Sequence, residues 1–161
     1  MPASSRLPEL GRRGEGWVLL QSLLLVCIVA TGFTGVYWPR GVEGVLAVLG
    51  LVVALIGLSL LLVAALSLGA SLTVLPKPRE RGGLVQSGIY RAVRHPVYGA
   101  VLLLALGWSL AESPLGLIPT LLLAIVFDLK ARLEEAWLQE RHPDYALYRK
   151  QTPRRFVPGV Y

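Results

Sequence analysis

The chain of 161 residues holds a single cysteine, Cys27, and it lies inside an uncharged apolar run. One thiol closes no disulfide within the chain and builds no thiolate metal cluster, so Cys27 reads as a small apolar packing residue. Histidine is scarce too: His95 and His142 are the only two. They are not spaced as a local ligand pair, and no metal is expected. The chain has no His-Glu-x-x-His pair, no Walker A glycine loop and no Gly-x-Ser-x-Gly elbow, which removes the signatures of zinc peptidases, P-loop enzymes and α/β-hydrolases. Charged residues make up 16% of the chain and are nearly absent from its hydrophobic runs. An ion or proton path would need charges within those runs, so their absence counts against a transporter. The net charge of +6 would suggest nucleic acid in a soluble protein. Here the basic residues punctuate apolar runs instead of forming an aromatic-lined basic surface, so no nucleic-acid partner is expected.

What the chain does have is apolar length. Hydrophobic residues make up 54% of it and the mean hydropathy is +0.59, above the usual composition of a soluble domain. The long uncharged runs predict an all-α integral membrane protein, a single domain over 1–161, with about four transmembrane helices. The first span is expected at 17–38, framed by Trp17 and by Tyr37-Trp38 as interfacial rings. It is longer than a signal-peptide core and has no clean cleavage pattern, so it reads as retained. The second run, 42–75, exceeds one crossing and implies tilt or projection beyond the hydrocarbon. Its Gly50, Ala54, Gly57, Ala64 and Ala65 allow close helix packing.

Turn and charge chemistry from Pro76 to Gly83 then stops the helix. The runs 97–111 and 114–128 are short and are divided by Glu112-Ser113-Pro114, as in a helical hairpin that crosses and returns. From 129 to 141 the helix continues as a polar element. It carries the i,i+4 pairs Asp128/Arg132 and Lys130/Glu134 and an apolar stripe of Leu129, Leu133, Ala136 and Trp137. His142-Pro143-Asp144 ends it, and a basic, aromatic, Pro-rich tail follows. All but one of the 16 Lys and Arg residues fall at the N-terminal end, in the central loop or in the C-terminal region, leaving Arg40 in the opposite loop. Both termini and the central loop are therefore expected on the cytoplasmic side. The polar segments 84–98 and 129–161 then face each other.

The chemistry concentrates there. Gly88-Ile89-Tyr90-Arg91-Ala92-Val93-Arg94-His95-Pro96-Val97-Tyr98-Gly99 leads directly into the third apolar run. Pro96 suits the first position of a helix, where no N–H is needed, and biases His95 towards an extended conformation. A polar elbow at the membrane surface results. Across from it stand Glu134 and Glu135, about 100° apart on a helix, so one can face inward while the other meets solvent.

These segments, with Glu134-Glu135-Ala136-Trp137-Leu138, Tyr145-Ala146-Leu147-Tyr148, Pro153-Arg154 and Pro158, resemble the isoprenylcysteine carboxyl methyltransferase family, within a wider group of membrane phospholipid methyltransferases. The likeness covers roughly the last half of the chain. It departs at Ile89, where the family often has Pro, at Gln86, where a Thr-like residue is usual, and at Gly99, which follows the motif tyrosine directly. The resemblance implies S-adenosylmethionine-dependent methyl transfer to a lipidic or hydrophobic acceptor, such as a prenylcysteine-type carboxylate, at the cytoplasmic face. It implies a cofactor site at Tyr90, Arg94, His95, Pro96, Tyr98, Glu134 and Glu135. One of the two glutamates would take the cofactor's ammonium group, Arg, His or backbone N–H groups its carboxylate, and Tyr98 with the hairpin its adenine. A carboxylate acceptor is already ionised and needs no base, and Arg154 or Arg141 would hold it; an amine acceptor would need a base, and none stands out. Two other readings remain open. Membrane sterol reductases have a related C-terminal region and use a nicotinamide cofactor, and a non-catalytic membrane subunit would use the elbow only as an anchor.

Overall fold

The computed structural model describes residues 10–69, 73, 75 and 83–157, and among them there is no β-strand. The expected helix stop at 76–82 and the motif residue Pro158 lie outside the described residues. Among the described residues five α-helices follow one another: α1 (Glu15–Thr31), α2 (Glu43–Leu68), α3 (Pro96–Glu112), α4 (Leu117–Arg141) and α5 (Tyr145–Gln151). Two helical stretches, Glu43–Leu68 and Pro114–Arg141, are long and apolar enough to cross a membrane, while α1 and α3 are shorter apolar helices.

The first helix ends earlier than the apolar run predicts. Gly32 caps it, and turns at Gly32 and Phe33 replace the next helical turn. Composition alone does not show this stop, because the run stays uncharged to Trp38. Its indole Nε1 donates to the carbonyl of Ser109 on α3 at 3.3 Å, and Ser113 Oγ donates to Val36 O at 2.6 Å. The α1–α2 connection is thereby tied to the corner between α3 and α4. At the other end, Trp17 is 3% exposed. It does not sit as an outward interfacial ring but packs on Val126, Leu133 and Trp137 of α4.

α3 packs most extensively against α2, and α4 against α1. The close α2–α3 crossing follows from small residues. A Cβ added at Gly50 would lie 2.5 Å from the carbonyl oxygen of Gly107, and one at Gly107 would lie 2.6 Å from that of Gly50. Two turns further along, Gly57 faces the Ala100 carbonyl in the same way. Small residues at such contacts let backbones approach and gain dispersion contacts, which carry helix association where no hydrophobic driving force operates. The α1–α4 pair is fastened by a polar contact instead. Lys130, 1% exposed, donates to Gln21 Oε1 at 2.6 Å, with its ammonium 5.1 Å from the centre of the Tyr98 ring.

α4 runs unbroken through the expected boundary at Asp128. Its apolar stretch ends at Phe127, and Asp128, Lys130, Arg132, Glu134 and Glu135 occupy the half that follows. The polar half extends past the N-terminus of α3 and carries the carboxylates to the elbow.

Candidate active site

The elbow is a 3-10 turn, Gly88–Arg91, followed by an irregular step into α3. Pro96 takes the first helical position, as its geometry favours, and His95 is the N-cap with φ −127° and ψ 59°. The C-terminal tail lies against this step. Arg94 N donates to Arg154 O at 3.1 Å and His95 N to Arg155 O at 2.7 Å, so the tail satisfies two backbone donors at the start of α3. Gly99 admits the tail: a Cβ there would run into the carbonyl of Phe156. From α5, Tyr148 Oη donates to Tyr90 O at 2.6 Å, and from the residue that caps it Thr152 Oγ1 donates to Arg91 O at 3.3 Å.

The buried side chains enclosed by these contacts form a charged cluster. Glu135 Oε1 is met by Arg94 Nε at 2.9 Å, His95 Nε2 at 3.1 Å and Arg155 Nε at 3.4 Å. Arg94 also gives Nη1 to Thr152 O at 2.6 Å, and Arg155 gives Nη1 to Asp128 Oδ1 at 2.6 Å. Burial pushes the Glu135 carboxyl up. The hydrogen bond and charge of His95 and the charges of Arg94 and Arg155 outweigh this and hold it at about 2, below its ordinary 4.5. Glu135 is thus an ionised, neutralised core group.

Glu134 is placed differently. Its side chain is 23% exposed, its Oε2 accepts from Tyr98 Oη at 2.8 Å and lies 3.7 Å from His95 Nδ1, and neither contact uses Oε1. Tyr98 in turn stacks on Phe127, ring centres 4.7 Å apart, and on His95 at 5.4 Å. Both glutamates therefore face protein, one into the ion cluster and one into a cavity.

That cavity, about 80 Å³, is walled by Tyr90, Arg94, His95, Glu134, His142, Tyr145 and Tyr148, with Leu68, Leu84, Val85 and Leu138 among its apolar residues. It has room for a few water-sized groups. Burial, reinforced by Glu134 and Tyr148, raises the Tyr90 phenol. Burial and Glu135, opposed by Arg94, raise that of Tyr145. Burial, with Arg94 opposing and Glu135 reinforcing, pushes Tyr148 up to about 12. All three are neutral donors at physiological pH. Tyr145 Oη is buried and has no hydrogen-bond partner among the described residues.

Of the residues expected to form the cofactor site, the structure brings Tyr90, Arg94, His95 and Glu134 to the cavity wall. Pro96, Tyr98 and Glu135 stand behind it, where they fix the others in place. Arg154 and Arg141 are exposed and do not line the cavity. Sequence reasoning did not assign Arg155, Thr152 or Tyr145 to the site. Tyr145 and Tyr148 belong to a segment that carries the family resemblance, and with Arg155 they lie in the polar region expected to face the elbow, but nothing there singles them out.

The sequence profile of the phospholipid methyltransferase family matches residues 45–144, well over half of the chain. The chain belongs to the phospholipid methyltransferase family. The match takes in α2, the elbow, α3 and α4, and so includes His95 and both glutamates; α1 and the tail beyond 144 lie outside it. Membership in this family, with two helices apolar enough to cross a bilayer, makes the chain a membrane protein. The chain is also similar to the Delta(14)-sterol reductase TM7SF2 of Mus musculus, at 35% identity over 96 residues. That similarity covers 57% of this chain but only 23% of the reductase.

Proposed function

We propose that this chain is an S-adenosylmethionine-dependent methyltransferase, modifying a lipidic or hydrophobic acceptor at the cytoplasmic membrane face. Its single domain would cross the bilayer with α1, α2, α3 and the apolar half of α4, both termini cytoplasmic. The lysine and arginine distribution supports that orientation, since only Arg40 falls in the opposite loop.

One observation carries the reading: the two adjacent glutamates are divided between two tasks. Glu135 neutralises Arg94 and Arg155, while Glu134 presents a carboxylate to the cavity. The residues fit the cofactor's amino-acid end, which is a zwitterion. Glu134 would take the ammonium group, while Arg94 Nη2, used by neither of the bonds to Glu135 and Thr152, and the Tyr90 and Tyr145 hydroxyls offer donors to the carboxylate, that of Tyr148 being spent on Tyr90 O. The cavity's enclosed volume suits that end alone, so the nucleoside would lie towards Leu84 and Val85 at its edge. The cofactor supplies an electrophilic methyl group on a sulfonium. The protein's part is to bind, orient and exclude water, for which the buried Arg94–His95–Glu135 cluster makes a rigid floor. Arg154, exposed and with its carbonyl accepting from Arg94 N in the elbow, is the better of the two candidates to hold a carboxylate acceptor; Arg141, at the end of α4, is the other.

The reductase reading draws on the similarity to the mouse sterol reductase. A nicotinamide dinucleotide carries a diphosphate, and the cavity wall offers it one arginine, Arg94, of which only Nη2 is left by Glu135 and Thr152, on a wall shared with the Glu134 carboxylate. The test is transfer of radiolabel from methyl-tritiated S-adenosylmethionine into the organic-extractable fraction of proteoliposomes made with total membrane lipid. Label above that of heat-denatured protein is expected, and its release by mild alkali would identify a methyl ester over an N-methyl product. No incorporation from folded protein would overturn the reading.

A further inference from the structure

We propose that the Tyr145 hydroxyl is a ligand-binding donor of the polar cavity, taking the carboxylate of the methyl donor's amino-acid end. This rests on the methyltransferase reading and deepens it.

Tyr145 is 1% exposed, lines the cavity, and its hydroxyl is buried without a hydrogen-bond partner among the described residues. Buried hydroxyls are nearly always paired, because leaving one unpaired forfeits its interaction with water. Its neighbour one helical turn on, Tyr148, obeys that rule by donating to Tyr90 O at 2.6 Å. The two rings meet edge to face with centres 5.8 Å apart, so Tyr145 is held by packing and not by its polar atom. The phenol stays protonated at neutral pH, which makes it a donor. The charges acting on it are Glu135, then Arg94, then Glu134, and of these Arg94 is the one that would draw an anionic partner to the hydroxyl. Glu134 serves the opposite charge on the same wall. Zwitterion recognition needs both ends met, and beside Arg94, whose Nε and Nη1 are tied to Glu135 and Thr152, Tyr145 supplies a buried donor with no other partner among the described residues.

The experiment measures binding of S-adenosylhomocysteine and of methylthioadenosine, which lacks the amino-acid end, to detergent-purified wild type and Tyr145→Phe. The variant is expected to bind S-adenosylhomocysteine about tenfold more weakly, the worth of one hydrogen bond to a charged group, and methylthioadenosine unchanged. Without ligand it is expected to melt no lower than wild type, since an unpaired buried hydroxyl has been removed. Equal affinity for S-adenosylhomocysteine in the two proteins would overturn the proposal, as would equal weakening for both nucleosides. Failure of the wild type to bind S-adenosylhomocysteine would instead refute the methyltransferase reading beneath it. A second probe, 3-fluorotyrosine placed at position 145, retains ring and hydroxyl. Its fluorine resonance is expected to shift with S-adenosylhomocysteine and not with methylthioadenosine; no shift would count against the proposal.

Discussion

Arg94 and Glu135 form an ion pair at 2.9 Å in which each side chain is only 5% exposed. Arg94 belongs to the step before α3 and Glu135 to the polar half of α4, so the pair joins the two motif segments. Removing one partner from a buried pair strands the other charge, at a cost of about 3–5 kcal/mol. Arg94→Ala is expected to lose stability on that scale, as a fall in melting temperature followed by tryptophan fluorescence. A change of less than a degree would show that the pair does not hold the two segments together.

Glu134→Gln separates binding from folding. The carboxylate is partly exposed and stands outside the ion cluster, so its neutralisation should leave the melting temperature within a few degrees of wild type. Affinity for S-adenosylhomocysteine is expected to fall about tenfold or more, as a charge-assisted contact to an ammonium is lost. Glu135→Gln should weaken binding too, but with a loss of stability that Glu134→Gln lacks. Matching profiles for the two variants would refute the division of roles.

Acid should act through Glu135. Its carboxyl is held at about 2 in the folded protein against an ordinary 4.5, so its contribution is fully present above about 4.5 and is lost as pH falls towards 2. The melting temperature should therefore decline through that window, and Glu135→Gln should flatten the decline while lowering stability at neutral pH. An unchanged slope in the variant would assign the acid sensitivity to other carboxylates.

Gly107→Ala, at the α2–α3 crossing, is expected to be poorly tolerated. The added Cβ would lie 2.6 Å from a backbone oxygen of α2, which can move only with its helix. Overpacking of this kind costs about 1–3 kcal/mol. The same change at Gly44, where nothing lies within 4 Å, should be neutral or mildly stabilising in a parallel thermal melt.

Much of this arrangement is legible in the residues themselves. Pro96 marks the first turn of α3, the small residues of α2 mark its crossing with α3, and Asp128 pairs with Arg132 at 2.7 Å as the i,i+4 spacing predicts. Which glutamate enters the ion cluster is not legible, because it depends on the rotation of α4. That rotation is set by the burial of Leu133 and Ala131 and by Trp17 on a distant helix. Trp17 itself looked like an interfacial anchor, since sequence shows an aromatic at a span's edge and not the α4 groove that receives it. The path of the tail was equally hidden. It follows backbone hydrogen bonds to Arg94 and His95, which have no side-chain pattern, and its one trace is the glycine immediately after Tyr98.

The most direct test of the central claim is calorimetric titration of the purified wild type with S-adenosylhomocysteine, with NADPH as the parallel ligand. Saturable binding of S-adenosylhomocysteine and none of NADPH is the predicted result. Binding of NADPH alone, or of neither ligand by folded protein, would contradict the methyltransferase assignment.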